Sequence, residues 1–162
     1  MNQKIMRQAE TVMAVQKARA NKKRTVFTNG VFDLLHLGHV EYLQKAKALG
    51  ELLIIGLNSD ISVRSIKGPK RPLVNQEDRA AVLAALECVD YVVLFDEDTP
   101  AKLIETIMPD ILVKGADYKI EQIAGADAVL KNGGKVVTIE LTPGRSTSDL
   151  IKKIVSVYGN NG

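Results

Sequence analysis

The 162-residue chain has no tryptophan, one cysteine and two histidines, and aromatic residues make up only 4% of it. A single cysteine excludes an internal disulfide, and no Cys/His grouping has metal-ligand spacing. No apolar run approaches the roughly 18 residues of a transmembrane helix. The polar N-terminus does not read as a secretory signal, so the cytoplasm is the expected location. The G-x-G-x-x-G pattern of dinucleotide-binding folds is missing, which disfavours a dehydrogenase, and so is the Walker A pattern, which disfavours a P-loop kinase. Internal repeats, low-complexity segments and linkers are lacking within residues 25–157.

What is present suits one globular domain with its own core: 46% hydrophobic and 25% charged residues. The net charge of +3 is uneven. Residues 1–24 hold seven Lys/Arg and one acid, Glu10, so this head carries +6 and the remainder −3. A basic head can serve nucleic acid. Without an aromatic residue to stack on bases, a solvated helix face is the preferred reading.

The chain is organised around Thr28-Asn29-Gly30-Val31-Phe32-Asp33-Leu34-Leu35-His36-Leu37-Gly38-His39. An apolar run, Thr25-Val26-Phe27, precedes it and a helical pattern, Val40 to Leu49, follows. This predicts a strand-to-helix turn, where α/β sheets present ligands to a helix N-terminus. Both histidines lie here, three residues apart, on one side of the turn if the helix starts at Gly38 and His39. Gly38 and Asn29-Gly30 allow a ligand to approach the backbone.

Elsewhere strands alternate with helices. Residues 3–20 read as a helix with a stripe of Ile5, Ala9, Val12, Met13 and Val15. Strands are expected at 25–28, 52–57, 91–95, 111–114 and 135–141. Helices are expected at 39–49, from an Asn75 cap to about Leu86, after Thr99-Pro100, before Gly133-Gly134, and from about 147 to 157. The face of the helix after Asn75 is expected to be Val82, Leu83 and Leu86. The fold class is therefore α/β, a Rossmann-like doubly wound, mainly parallel five-stranded sheet with helices on both faces. Residues 1–23 form an N-terminal helical extension and 24–162 the main domain. Asn58 and Asp60 follow a strand's C-terminal end, as a ligand site or as turn chemistry. Lys67, Lys70 and Arg71 crowd an irregular loop that either closes over an anion or is solvated. Arg79 is either exposed or able to reach a phosphate. Ser146 is either an ordinary cap or, with Arg145, Thr147 and Ser148, part of a phosphate site at the last helix.

These stretches resemble the HxGH nucleotidylyltransferases of the cytidylyltransferase-like superfamily. His36-Leu37-Gly38-His39 matches the signature, with Gly30-Val31-Phe32-Asp33 at the expected distance before it. Within the superfamily the chain is most similar to the adenylyltransferases of bacterial heptose 1-phosphate. The matching stretches are Gly56-Leu57-Asn58-Ser59-Asp60, Lys67-Gly68 with Arg71-Pro72, Glu77-Asp78-Arg79, Pro109 to Gly115 with Asp117-Tyr118, and Gly144 to Ser148. The resemblance implies transfer of AMP from ATP to D-glycero-β-D-manno-heptose 1-phosphate, giving ADP-heptose and pyrophosphate. A glycerol-3-phosphate cytidylyltransferase on the same frame is the alternative, and a non-catalytic nucleotide- or RNA-binding protein the reading from another class. It implies His36 and His39 on the triphosphate, acting mainly as hydrogen-bond donors. Thr28, Asn29, Gly30, Phe32 and Gly38 would line the nucleotide pocket. Lys114, Gly115 and Asp117 would border adenine or ribose, and Arg145, Ser146, Thr147 and Ser148 would hold the leaving phosphates. Lys67 and Lys70 are expected to draw the substrates together, one or both of them. Asp33, Asn58, Asp60 and Arg79 are assigned to the acceptor. Mg²⁺ would be carried mainly by the ATP phosphates, with no dedicated metal residues. The expected partners are ATP and a sugar 1-phosphate, with no membrane and no nucleic acid, a homodimer left open. The chain looks like the stand-alone form, with a sugar kinase on a separate chain.

Overall fold

A computed structural model describes residues 3–159. Its centre is a six-stranded, wholly parallel sheet. The strands are β1 (Ile5–Met6), β2 (Thr25–Gly30), β3 (Leu52–Asn58), β4 (Tyr91–Phe95), β5 (Ile111–Gly115) and β6 (Lys135–Ile139), in the order β1-β4-β3-β2-β5-β6. The helices are α1 (Gln8–Ala20), α2 (Leu37–Lys47), α3 (Asp60–Lys67), α4 (Gln76–Ala85), α5 (Ala101–Ile107), α6 (Ala126–Lys131) and α7 (Thr147–Tyr158), with a 3₁₀ turn at Ile120–Gln122. From β2 the chain winds outward through β3 to β4. It then returns to the other side of β2 for β5 and β6. The winding thus reverses between β2 and β5, and in open α/β sheets ligands bind at such a point.

The α/β class, the parallel sheet and the helices on both faces are as expected, but there are six strands, not five. Residues 1–23 were read as a helical extension, yet their described part joins the sheet. Ile5 and Met6 pair with Val92 and Val93. The Lys4 ammonium donates to the Leu86 and Val89 carbonyls at 3.2 and 2.7 Å, and Lys4 O accepts from Val92 N. A two-residue strand shows no alternation, so no pattern revealed it. The helix behind it starts at Gln8 and buries Thr11, Val15 and Ala18, while Met13 is 69% exposed.

Each face of the sheet carries its own core. Val26, Ile55, Leu57, Val92 and Val113 pack against Leu43 and Ala46 of α2 and Leu83 of α4. Phe27, Ile54, Val93 and Leu112 pack against Val15, Leu103, Ile104, Ile107 and Val129. This alternation along β2, β4 and β5 follows from the two-residue period of a strand. In α4, Leu83 is buried as expected, but Val82 is 49% exposed and Arg79, Ala80 and Ala84 take the inner face. Asn75 caps α4 by accepting from Asp78 N, as read from sequence. α3 was not expected. Ser59 caps it by accepting from Ser62 N, and the run taken as loop begins with the helix's last residue, Lys67.

Arg79, read as exposed or substrate-facing, is neither, being 2% exposed. Its guanidinium donates to Val74 O (2.9 Å), Val31 O (2.6 Å) and Asn58 O (2.9 Å) and pairs with Asp60 Oδ1 (2.7 Å). It ties the ends of β2 and β3 to α3 and to the start of α4. Arg79→Ala would leave three carbonyls and one carboxylate without their donor. Removing one partner of such a buried pair costs about 3–5 kcal/mol. Urea unfolding should show a loss of that size, with little recovery in Arg79→Lys, whose single ammonium cannot reproduce the fork. A change below about 1 kcal/mol would mean that the strut carries no strain-bearing role.

Candidate active site

The turn after β2 is built by local conflicts that glycine resolves. Phe32 sits at φ +46° with its ring buried. A Cβ on Gly30 would lie 2.9 Å from that ring, so Gly30 makes room for it. α2 starts at Leu37, two residues earlier than expected, with His36 as its extended N-cap and His39 in its first turn. The two imidazoles stack, centroids 3.9 Å apart at 29°, and the Phe32 ring lies 5.3 Å from His39. His39 Nδ1 accepts from the His36 backbone N–H at 3.3 Å. That geometry assigns the His39 proton to Nε2, leaving a donor for a ligand. Burial, and then the neighbouring His36, lowers the His39 pKa to about 4. Burial and then Arg145 lower that of His36. Near neutrality both rings are therefore neutral, and each retains one N–H to donate.

α7 brings the second half of the site. Ser146 caps it, accepting from Asp149 N at 3.0 Å. The Thr147 hydroxyl donates to Leu34 O at 3.3 Å, fastening this helix to the turn before α2. A Cβ on Gly38 would lie 2.9 Å from Arg145 Cβ and 3.1 Å from the His36 ring. The absent side chain is what lets the arginine-bearing loop rest on α2. Between the two helix starts is a cavity of about 380 Å³, lined by His36, Gly38, His39, Arg145, Ser146 and Thr147 and also by Asn29, Gly30, Phe32, Lys114, Gly115 and Asp117. Two helix N-termini facing one cavity make an anion site.

A second cavity, of about 490 Å³, adjoins it. Asn29, Gly30, Phe32, His39, Lys67, Lys114, Tyr118 and Thr147 border both. Asp33, Asn58, Arg71, Asp98, Gln122 and Ser148 border only the second. Of the two lysines read as candidates, Lys67 reaches both cavities, and exposed Lys70 reaches neither.

Several expected residues act behind the walls. Thr28 is fully buried and borders neither cavity; its hydroxyl shares a 2.8 Å hydrogen bond with Tyr42, which does border the first. Burial pushes the Tyr42 phenol up to about 12. Asp60 and Arg79 border neither cavity and are bonded to each other. Asn58 borders the second cavity but gives its amide to Ser62 Oγ at 2.9 Å. Asp33 accepts from Arg71 Nε at 2.5 Å and from the backbone N–H groups of Leu73 and Val74 at 2.9 Å. Burial alone would raise its pKa, but these donors lower it. Asp33 thus fastens the basic segment beside the cavities. Tyr42, Asp98 and Gln122 were missed. Tyr42 had a signal, one helical step beyond His39; the other two come from distant loops and had none.

Among the described residues two buried side-chain atoms lack hydrogen-bond partners, Asn29 Oδ1 and His36 Nδ1, and both belong to residues lining the first cavity. Among the described residues no group of three or more His, Cys, Asp or Glu is arranged to hold a metal ion. No helix among them is long and apolar enough to cross a membrane.

Comparison with known proteins agrees with this geometry. The cytidylyltransferase-like family model matches residues 27–153. The chain is 59% identical over 145 residues to the bifunctional protein HldE of Citrifermentans bemidjiense, covering 90% of this chain and 30% of that protein. It is 56% identical over 148 residues to HldE of Geobacter sulfurreducens, covering 91% and 30%. The chain thus spans about 30% of the length of these curated relatives. The crystal structure of the lipopolysaccharide core biosynthesis protein from Thermoplasma volcanium is 30% identical, with a TM-score of 0.59, covering 74% of this chain and 97% of that one.

The histidine pair yields a test by NMR titration. The His39 ring should stay neutral down to about pH 5, and the His36 ring should titrate below the usual 6.5. Because the folded-state pKa of His39 lies below its unfolded value, the unfolded chain binds more protons between about pH 4 and 6.5. Stability associated with the neutral ring is full above that window and is lost as pH falls through it. A His39 ring titrating at 6.5 would contradict the buried, stacked arrangement.

Proposed function

The chain belongs to the cytidylyltransferase-like family, and on that premise we propose that it transfers AMP from ATP to a sugar 1-phosphate, D-glycero-β-D-manno-heptose 1-phosphate, giving ADP-heptose and pyrophosphate. The observation that carries this reading is the pair of adjoining cavities with the stacked histidines and the start of α7 at their common border. The high identity to HldE proteins supports the choice of acceptor, as does the likeness to a lipopolysaccharide core biosynthesis protein. The domain that acts is residues 24–162, and a kinase-type reaction supplies the sugar 1-phosphate.

ATP occupies the first cavity, with its phosphates between the starts of α2 and α7. Its base and ribose lie toward Gly115 and Asp117 at the end of β5. The acceptor occupies the second cavity, its phosphate toward Lys67 and Arg71. A phosphate oxygen of the sugar attacks the α-phosphorus in line; that bond forms as the bond to the pyrophosphate oxygen breaks. The nucleophile is already an anion, so no residue need remove a proton. The protein's part is to align two polyanions and to stabilise charge growing on the leaving phosphates. His39 Nε2–H and the backbone N–H groups at the start of α7 do the second. Two unit charges ~4 Å apart in an effective dielectric near 20 repel by about 4 kcal/mol, so full cations are needed for the first. Mg²⁺ would be held by the ATP phosphates and would offset part of their charge. The walls of the first cavity offer N–H donors and cations rather than a carboxylate cluster, which suits an ion held by phosphate oxygens.

Purified protein incubated with ATP or CTP and a panel of sugar 1-phosphates and glycerol 3-phosphate should release pyrophosphate fastest with ATP and the heptose. Preference for CTP and glycerol 3-phosphate would replace the acceptor named here, and silence with every pair would remove the reading. In the active pair His39→Ala should lower kcat by about 10²-fold or more, the scale for losing one transition-state donor. Lys67→Ala should lower kcat at least tenfold and Lys70→Ala should leave it near wild type, since only Lys67 reaches the cavities. The reverse order would return the loop lysine to the mechanism.

A further inference from the structure

The two cavities meet where the winding of the sheet reverses, and Asn29 of β2 and Lys114 of β5 stand there. The β2–β5 pairing ends at Phe27↔Leu112, and Asn29 and Lys114 each lie two residues beyond it on their own strands. Both then lie on the sheet face that carries Phe27 and Leu112. Both border both cavities. Each also has unmet polar capacity. Asn29 Oδ1 is buried without a partner. Lys114 forms no ion pair within 4 Å among the described residues; its ammonium lies 5.2 Å from the Tyr118 ring. The other cations near the site differ from it. Arg79 and Arg71 are neutralised by Asp60 and Asp33, Arg145 borders only the first cavity, and Lys67 is exposed to solvent.

Withdrawing an ammonium from water is costly unless an anion compensates. The Tyr118 ring compensates only in part. Burial lowers the Lys114 pKa and Asp117 draws it partly back, the condition of a cation whose counter-ion arrives with the ligand.

We propose that Lys114 is a second catalytic cation of the transfer, its ammonium touching a phosphate oxygen of each substrate where the two cavities join and donating its remaining N–H to Asn29 Oδ1, which positions it. This rests on the adenylyl-transfer reading above and moves Lys114 from the base and ribose to the reacting phosphates. Lys114 stays protonated throughout. The attacking oxygen supplies the electron pair to the α-phosphorus, and pyrophosphate departs with the pair of the broken bond. Lys114 donates hydrogen bonds to both groups as they close on each other. The contact is strongest when the phosphates are nearest, so its loss falls on kcat.

The experiment compares wild type, Lys114→Met, Lys114→Arg and Asn29→Ala as the full chain, by pyrophosphate release and by calorimetric binding of α,β-methylene-ATP. Lys114→Met keeps the length of the side chain and removes its charge. It should lower kcat by at least 10²-fold and weaken binding of the analogue severalfold. Lys114→Arg should recover part of both, and Asn29→Ala should lower kcat less, in the same direction. Unchanged analogue binding in folded Lys114→Met overturns the role by itself, whatever the acceptor proves to be. A raised KM for ATP with kcat unchanged also overturns it, because that is a contact to the nucleotide alone. Wild-type protein that binds the analogue yet releases no pyrophosphate with any acceptor would instead remove the substrate reading.

Discussion

Strand β2 has β3 on one side and β5 on the other, and the chain leaves these strands toward opposite faces of the sheet. A crevice between the departing loops is the necessary result, and the rest of the site is arranged around it. Asn29-Gly30 and Lys114-Gly115 are the two strand ends that form its floor. α2 begins on one side of this floor, and α7 is brought against it by Thr147 and the gap at Gly38. The free N–H groups of two helix starts then converge on one volume. That arrangement follows from strand order, from the Thr147 hydroxyl and from the missing side chain at Gly38.

The electrostatics follow from the same crowding. Two helix starts, Arg145, Lys67 and Lys114 share a small region whose carboxylates, Asp33, Asp98 and Asp117, are not grouped to hold a metal ion among the described residues. The histidines respond by staying neutral, since a further positive charge there would be both buried and repelled. Neutral imidazoles still donate hydrogen bonds, which is what growing negative charge on a phosphate requires. The cations differ in how they are held. Lys67 ends a helix and meets solvent, whereas Lys114 is fixed by its strand. A mobile charge can meet an incoming substrate; a fixed one suits a defined geometry.

Behind the walls, buried ionic groups hold the loops in place. Arg79 binds carbonyls from β2 and β3 and from the segment before α4. Asp33 gathers Arg71, Leu73 N and Val74 N. Together they set the segment 67–74 beside the cavities. Such groups are costly to bury and are retained where their polar atoms find partners, as each nitrogen of the Arg79 guanidinium and each Asp33 carboxylate oxygen does here. Asp33 and Arg79 belong to the same motif stretches as the site residues; both hold the loops, and of the two only Asp33 also borders a cavity.

The sequence by itself determined what depends on neighbours a few residues apart. The period of apolar residues placed the five longer strands and most of the helices. Asn75 and Ser146 announced their helices because a cap bonds to a backbone group three residues on. The paired histidines on a strand-to-helix turn marked the site for the same reason. Tertiary structure alone decided the rest. Whether Lys67 or Lys70 reaches the cavities turns on where α3 ends. Whether Arg79 meets ligand or carbonyl turns on residues 48 and 21 positions away. Ile5–Met6 became a strand only because β4 offered an edge. Asn29 and Lys114 border the same cavities only because β5 returns to lie beside β2. Local pattern reports which face of an element is apolar; it carries no record of which distant element that face or strand end will meet, and polar side chains are assigned their roles by that meeting.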